Sequence, residues 1–173
     1  RGYAPAVLAI TGTNGKTTVT SMVGQMCREA GLDAVVAGNI GPAALAALLR
    51  RIEHGGRPEA WVLELSSFQL ETTRSLAADA AVVLNVSDDH LDRYAGVEPY
   101  AATKARIYAG GGVQVLNRED PRVAAMRLPG RRALSFGLDA PAIADDFGVL
   151  ARDRESWLGL GAEPLLPTTA LAL

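Results

Sequence analysis

The sequence predicts an α/β fold: a P-loop-type, mostly parallel sheet with helices on both faces, plus a few antiparallel strands toward the C-terminus. Three observations carry this expectation. Short apolar runs alternate with stretches of helical spacing. The runs are continuous, not alternating with polar residues, as in strands covered on both faces. A glycine-rich loop joins the first run to the first helical stretch, the order of a phosphate-binding turn.

The elements follow in order. Residues 7–11 form the first apolar run. Over 17–30, Val19, Met22, Val23, Met26, Cys27 and Ala30 recur at helical spacing, and Gly31 stops the helix as a C-cap does. A short strand over 34–37 ends in Gly38-Asn39-Ile40-Gly41-Pro42. A helix is expected over 42–52, with Pro42 near its first turn. His54 sits in a loop among glycines and charge. Buried-type strands are expected over 61–65, running into Ser66-Ser67, and over 80–86. A helix over 97–109 and a strand over 113–116 come next. Residues 121–132, with Arg122, Arg127, Arg131 and Arg132, read most simply as a solvated basic face. Beyond 133 the pieces 133–136, 143–151 and 156–160 suggest antiparallel strands.

The 173 residues suffice for one domain with a full core. With 49% apolar and 21% charged residues the composition is that of an ordinary soluble protein. A formal net charge of −2 gives no reason to expect nucleic acid or an anionic membrane as partner. Cys27 is the single cysteine, which excludes an intrachain disulfide and fits a reducing cytoplasm. It lies on the apolar side of its helix and reads as core, not nucleophile. No run approaches the roughly 18–20 apolar residues of a membrane span. The chain opens on Arg1 and closes in an apolar run, so both ends read as cuts through a longer protein.

The loop Thr11-Gly12-Thr13-Asn14-Gly15-Lys16-Thr17-Thr18 carries the sharpest chemistry. Glycines let successive N–H groups point at one anion, and the helix start adds its positive dipole end. Lys16 supplies a cation for the β/γ-phosphates and Thr17 a hydroxyl for Mg²⁺. The usual spacing needs glycine at position 10, which is Ile10 here, so the loop is a shortened variant. In an open α/β sheet ligands sit beyond the carboxyl ends of the strands. Gly38-Asn39, Glu64 and the segment from Asn85 to Asp92 all fall at such ends. A carboxylate within the apolar run around Glu64 is costly unless paired, and Mg²⁺ or a basic side chain would pair it. His90 stands among Asp88, Asp89 and Asp92, as a ligand or as a capping histidine of an acidic loop. Tyr100, Lys104, Ile107 and Tyr108 share one helix face, where a lysine ordinarily snorkels to water.

The loop 11–18, Gly38–Gly41, the run Leu63-Glu64-Leu65-Ser66-Ser67-Phe68-Gln69-Leu70-Glu71, residues 85–94 and residues 100–108 occur in that order. As a set they resemble the central ATP-binding domain of the Mur ligases, and Asn117-Arg118-Glu119-Asp120-Pro121 fits as well. Phe68 favours the D-glutamate-adding members over relatives that tend to have histidine there. The resemblance implies an ATP-dependent ligase of bacterial peptidoglycan synthesis. It would add D-glutamate to UDP-N-acetylmuramoyl-L-alanine through an acyl phosphate, releasing ADP and phosphate. It implies ATP held by Gly12, Thr13, Asn14, Gly15, Lys16, Thr17 and Thr18, and substrate contacts from Asn39, Ser66, Gln69 and His90. Two Mg²⁺ sites are implied, with Thr17, Glu64, His90 and a CO₂-carbamylated Lys104 as ligands, so that Lys16, Glu64, His90 and Lys104 carry the chemistry. The parent enzyme is implied to be cytoplasmic and monomeric, acting on small molecules without nucleic acid or membrane insertion. Its N-terminal UDP-binding and C-terminal amino-acid-binding domains lie outside residues 1–173, so this stretch is expected not to complete the ligation alone. A folylpolyglutamate synthase usually has glycine after the loop lysine, where Thr17 stands here, and no guanine-reading Asn-Lys-x-Asp occurs.

Overall fold

The computed structural model describes residues 2–88, 93–152 and 154–171. Its first half alternates strand and helix: β1 (Ala6–Thr11), α1 (Lys16–Glu29), β2 (Ala34–Gly38), α2 (Ala44–Glu53), β3 (Ala60–Glu64), α3 (Ser67–Thr72) and β4 (Ala80–Val83). Then come α4 (Val97–Ala105), a 3-10 turn (Arg106–Tyr108), β5 (Val113–Asn117), α5 (Pro121–Ala124), β6 (Ala133–Phe136), β7 (Asp146–Arg152), β8 (Glu155–Leu160) and β9 (Glu163–Pro167). The strands form one sheet in the order β2-β3-β1-β4-β5-β6-β7-β8-β9. All pairings from β2 through β7 are parallel, and β7-β8-β9 is an antiparallel meander.

Two expectations shift here. Residues 133–136 continue the parallel order, and antiparallel pairing begins only at β7. The helix expected from Pro42 begins at Ala44, because Pro42 belongs to the preceding turn, where its carbonyl accepts from the Gly38 N–H at 3.0 Å.

Side chains alternate across the strands, and each set is buried by different partners. One layer packs Ile10, Val62 and Leu84 with Val19, Val23 and Cys27 of α1. On the other side Ala9, Ala81, Val83 and Leu116 pack with Leu70, Tyr100, Ala101, Ile107 and Tyr108 from α3, α4 and the 3-10 turn. Helix α2 covers the sheet end through Ala47, against Ala37 and Trp61. Cys27 is therefore a packing residue, as its spacing suggested.

Met22 and Met26 share the periodicity of α1 yet are exposed, at 59% and 67%. The helix turns Thr20 and Gly24 to the sheet instead. A side chain at Gly24 would reach within 2.3 Å of the Val36 Cγ2, so the close approach at Gly24 fixes which stripe is buried. The basic face over 121–132 is also only partly solvated. Arg131 donates from Nε to the Gly112 carbonyl at 2.6 Å and from its guanidinium to the Tyr108 carbonyl, pinning the turn before β5.

Candidate active site

At the carboxyl edge, Ile10, Gly38 and Glu64 stand side by side in register on β1, β2 and β3. A side chain at Gly38 would lie 2.2 Å from the Glu64 carbonyl, and its φ of 109° is open to glycine. That glycine lets the chain fold back so that Asn39 donates from its backbone N–H to the Glu64 carbonyl at 2.8 Å.

Glu64 is 1% exposed. Its Oε2 accepts from the Thr17 hydroxyl at 2.9 Å, and its Oε1 from the Asn39 amide at 2.8 Å. Among the described residues Glu64 makes no ion pair. The reading of a core glutamate neutralised by arginine or lysine is therefore not met. Nor is a cluster of three or more His, Cys, Asp and Glu formed among the described residues. The donor set at Glu64 is instead a carboxylate and a hydroxyl beside a phosphate-type loop, hard oxygen ligands that suit Mg²⁺ when phosphate oxygens and water complete the shell.

The loop itself lies between β1 and α1, with Gly15 left-handed at φ 79° capping the helix. No side chain caps α1. Its first N–H groups, those of Lys16, Thr17 and Thr18, lie in the turn where a helix offers them no internal acceptor. The Lys16 ammonium donates to the Thr13 carbonyl at 2.8 Å, folded onto its own loop.

Lys104 does not snorkel. It is 1% exposed, and its ammonium donates to the Gly12 carbonyl at 2.8 Å while lying 4.4 Å above the Tyr100 ring. The helix face that carries Tyr100, Lys104, Ile107 and Tyr108 turns wholly inward, with the loop carbonyl of Gly12 and the Tyr100 ring beside the ammonium. The structure thus brings Lys16, Thr17, Asn39, Glu64 and Lys104 to one edge. His90 lies outside the described residues.

Ser66 and Gln69 are engaged with each other. Ser66 caps α3 and accepts from the Gln69 backbone at 3.2 Å, while Gln69 Oε1 accepts from the Ser66 backbone at 2.9 Å. This capping box follows the spacing Ser-x-x-Gln, a signal that was available in the sequence. Further along α3, Glu71 accepts from Arg93 at 2.6 Å and from the Tyr94 hydroxyl at 2.5 Å. These bonds hold the Glu71 carboxyl below its ordinary value, and burial with the Glu71 contact raises Tyr94. The sequence places Asn85 at a ligand-side strand end without a contact of its own, and the structure sets it against the phosphate loop.

The family model of the Mur ligase middle domain matches residues 10–156. The chain is 58% identical over 174 aligned positions to UDP-N-acetylmuramoylalanine--D-glutamate ligase of Nitrosospira multiformis, covering 99% of this chain and 37% of that protein. It is 59% identical to the enzyme of the same name from Aromatoleum aromaticum, covering 96% of this chain and 36% of that one. The chain spans little more than a third of these curated relatives. Among solved structures, UDP-N-acetylmuramoyl-L-alanyl-D-glutamate--2,6-diaminopimelate ligase superposes with a TM-score of 0.70 at 26% identity, over 85% of this chain and 34% of that one. The match over 10–156, on a fold that gathers the loop and Glu64 at one strand edge, makes this chain a member of the Mur ligase middle-domain family.

Proposed function

We propose that this chain is the ATP-handling part of a ligase that joins D-glutamate to UDP-N-acetylmuramoyl-L-alanine. The observation that carries the reading is Glu64, a buried carboxylate met by the Thr17 hydroxyl and the Asn39 amide beside the phosphate loop. The names of the relatives at 58% and 59% identity support the substrate pair.

In this reading a substrate carboxylate oxygen attacks the γ-phosphorus of ATP, and ADP leaves. The glutamate amine then attacks the acyl carbon, loses a proton, and phosphate leaves. The first step drives an anion onto an anion, so the protein must supply positive potential. Lys16 releases Thr13 and reaches the β/γ-phosphates, and the free N–H groups at the start of α1 cradle them. Thr17 and Glu64 hold one Mg²⁺, with His90 and Lys104 serving a second. Bound Mg²⁺ supplies charge neutralisation at the phosphate oxygens. Asn39 orients the muramoyl substrate near its reacting carboxylate, with Ser66 and Gln69 holding the neighbouring turn. Lys104 takes up CO₂: its ammonium first gives up a proton, the neutral amine adds to the carbon, and a second proton leaves, so that a cation becomes a carbamate with two hard oxygens. The parent enzyme works as a cytoplasmic monomer.

Phosphate release by the full-length protein, with ATP and Mg²⁺, tests the reading across a matrix of UDP-muramoyl substrates and amino acids. Release that requires UDP-N-acetylmuramoyl-L-alanine together with D-glutamate is expected. Release with another pair moves the protein to a sister ligase, and no release with any pair overturns the ligase reading.

A further inference from the structure

We propose that Asn85 is a positioning residue for the nucleotide phosphates. It acts as a carboxamide clamp that fixes the backbone of the shortened loop, leaving the donors of residues 15–18 to form the cradle. The inference rests on the nucleotide reading above and names a residue that reading does not use.

Strand β4 ends at Val83, three residues before the apolar run does. The Leu84 N–H still donates to the Thr11 carbonyl at 2.8 Å, and the chain then turns across the loop. Asn85 meets the loop three times. Its carbonyl accepts from the Thr13 N–H at 3.0 Å, its Oδ1 accepts from the Asn14 N–H at 2.8 Å, and its Nδ2 donates to the Asn14 carbonyl at 3.1 Å. Ser87 adds a backbone bond to the Thr13 hydroxyl at 3.1 Å. The two side-chain bonds satisfy both backbone groups of one residue, as a neighbouring strand would.

Loop donors therefore divide into two groups. The N–H groups of Thr13 and Asn14 face Asn85 and are not offered to an anion. Those of Lys16, Thr17 and Thr18 lie at the open helix start, and Gly15 in its left-handed turn joins the two groups. A loop with its first glycine at 12 and not at 10 has fewer residues with which to brace itself. The brace comes from β4 instead. Without the carboxamide, the Asn14 peptide is free to rotate, and the cradle must be ordered by the ligand at the expense of affinity.

The test uses the full-length protein and Mg²⁺ with β,γ-imido-ATP, measured by calorimetry, so that it does not depend on ligase turnover. Asn85→Ala is expected to weaken nucleotide binding about tenfold, the effect of two lost hydrogen bonds. Affinity for the UDP-muramoyl substrate should stay within about twofold of wild type, since only the loop is perturbed. In turnover the KM for ATP should rise while the KM for the other substrates holds. Asn85→Asp keeps the shape and loses the donor to Asn14, and it covers the case in which the alanine variant fails to fold. It too should weaken the nucleotide at least about threefold. Unchanged nucleotide affinity in a folded variant overturns the Asn85 role alone. A parallel loss of both ligands and of melting temperature overturns it in favour of a general packing role. Failure of the wild type to bind the nucleotide overturns both this inference and the reading beneath it.

Discussion

At Glu64 a carboxylate 1% exposed receives hydrogen bonds from two neutral groups, a hydroxyl and an amide. A buried charge so weakly compensated costs stability, and sites that hold such charges do so for function. Glu64→Gln keeps the volume and an acceptor while removing the charge. It should leave the melting temperature without nucleotide equal or higher, while phosphate release by the full-length protein falls by about 10² or more. A lower melting temperature with retained release would make Glu64 structural. Lys104 behaves in the opposite sense. Lys104→Met strands the Gly12 carbonyl, at a cost of about 1–3 kcal/mol, and should lower the melting temperature measurably. Glu64 was legible because an acid interrupts an apolar run. The surroundings of Lys104 were not legible, since helical spacing marks a shared face but not what that face meets, and Gly12 is 92 positions away in sequence.

Among the elements, α3 was hidden because its six residues are too few to show a period. Its capping box was written in Ser66 and Gln69 all the same. Ser66→Ala removes that cap and should cost about 1 kcal/mol of stability, read by denaturant unfolding. The same helix carries Glu71, whose folded-state carboxyl lies below its ordinary 4.5 because Arg93 and Tyr94 donate to it. A depressed carboxyl contributes stability that is present above 4.5 and is lost as pH falls through the lower folded value. Melting temperatures taken between about pH 3 and pH 7 should therefore drop less steeply on acidification in Glu71→Gln than in the wild type. Equal slopes would show that the Arg93–Glu71 contact carries no net preference for the charged form. The structure also explains why β4 is shorter than its apolar run: residues after Val83 leave the ladder to hold the phosphate loop and, through the Val86 N–H, Asp120.

At the scale of the molecule, the parallel order was legible because both faces of β1, β3 and β4 carry apolar side chains. The junction at β7, where the chain turns antiparallel, was less so, because β6 and β7 are joined by a parallel pairing of only two residue positions. Over β4, β5 and β6 the layer that holds α1 remains an open hollow of about 400 Å³, lined by Leu8, Ile10, Val82, Leu84, Val115 and Phe136. Among the described residues only α1 contributes helix side chains to that layer. Strands of a parallel sheet are ordinarily covered on both faces, so residues 1–173 in isolation should bind a solvatochromic apolar dye more strongly than the full-length protein does. The same stretch covers the phosphate loop but little more than a third of the relatives it matches. In the proposed function three substrates must be oriented together, and their capture by separate parts of a longer chain would make the step effectively unimolecular. Residues 1–173 alone should therefore release no phosphate above background when given ATP, Mg²⁺, UDP-N-acetylmuramoyl-L-alanine and D-glutamate, under conditions where the full-length protein turns over. Turnover by the isolated stretch would mean that the edge formed by the phosphate loop, Asn39 and Glu64 binds both co-substrates unaided, and the division of labour proposed here would have to be abandoned.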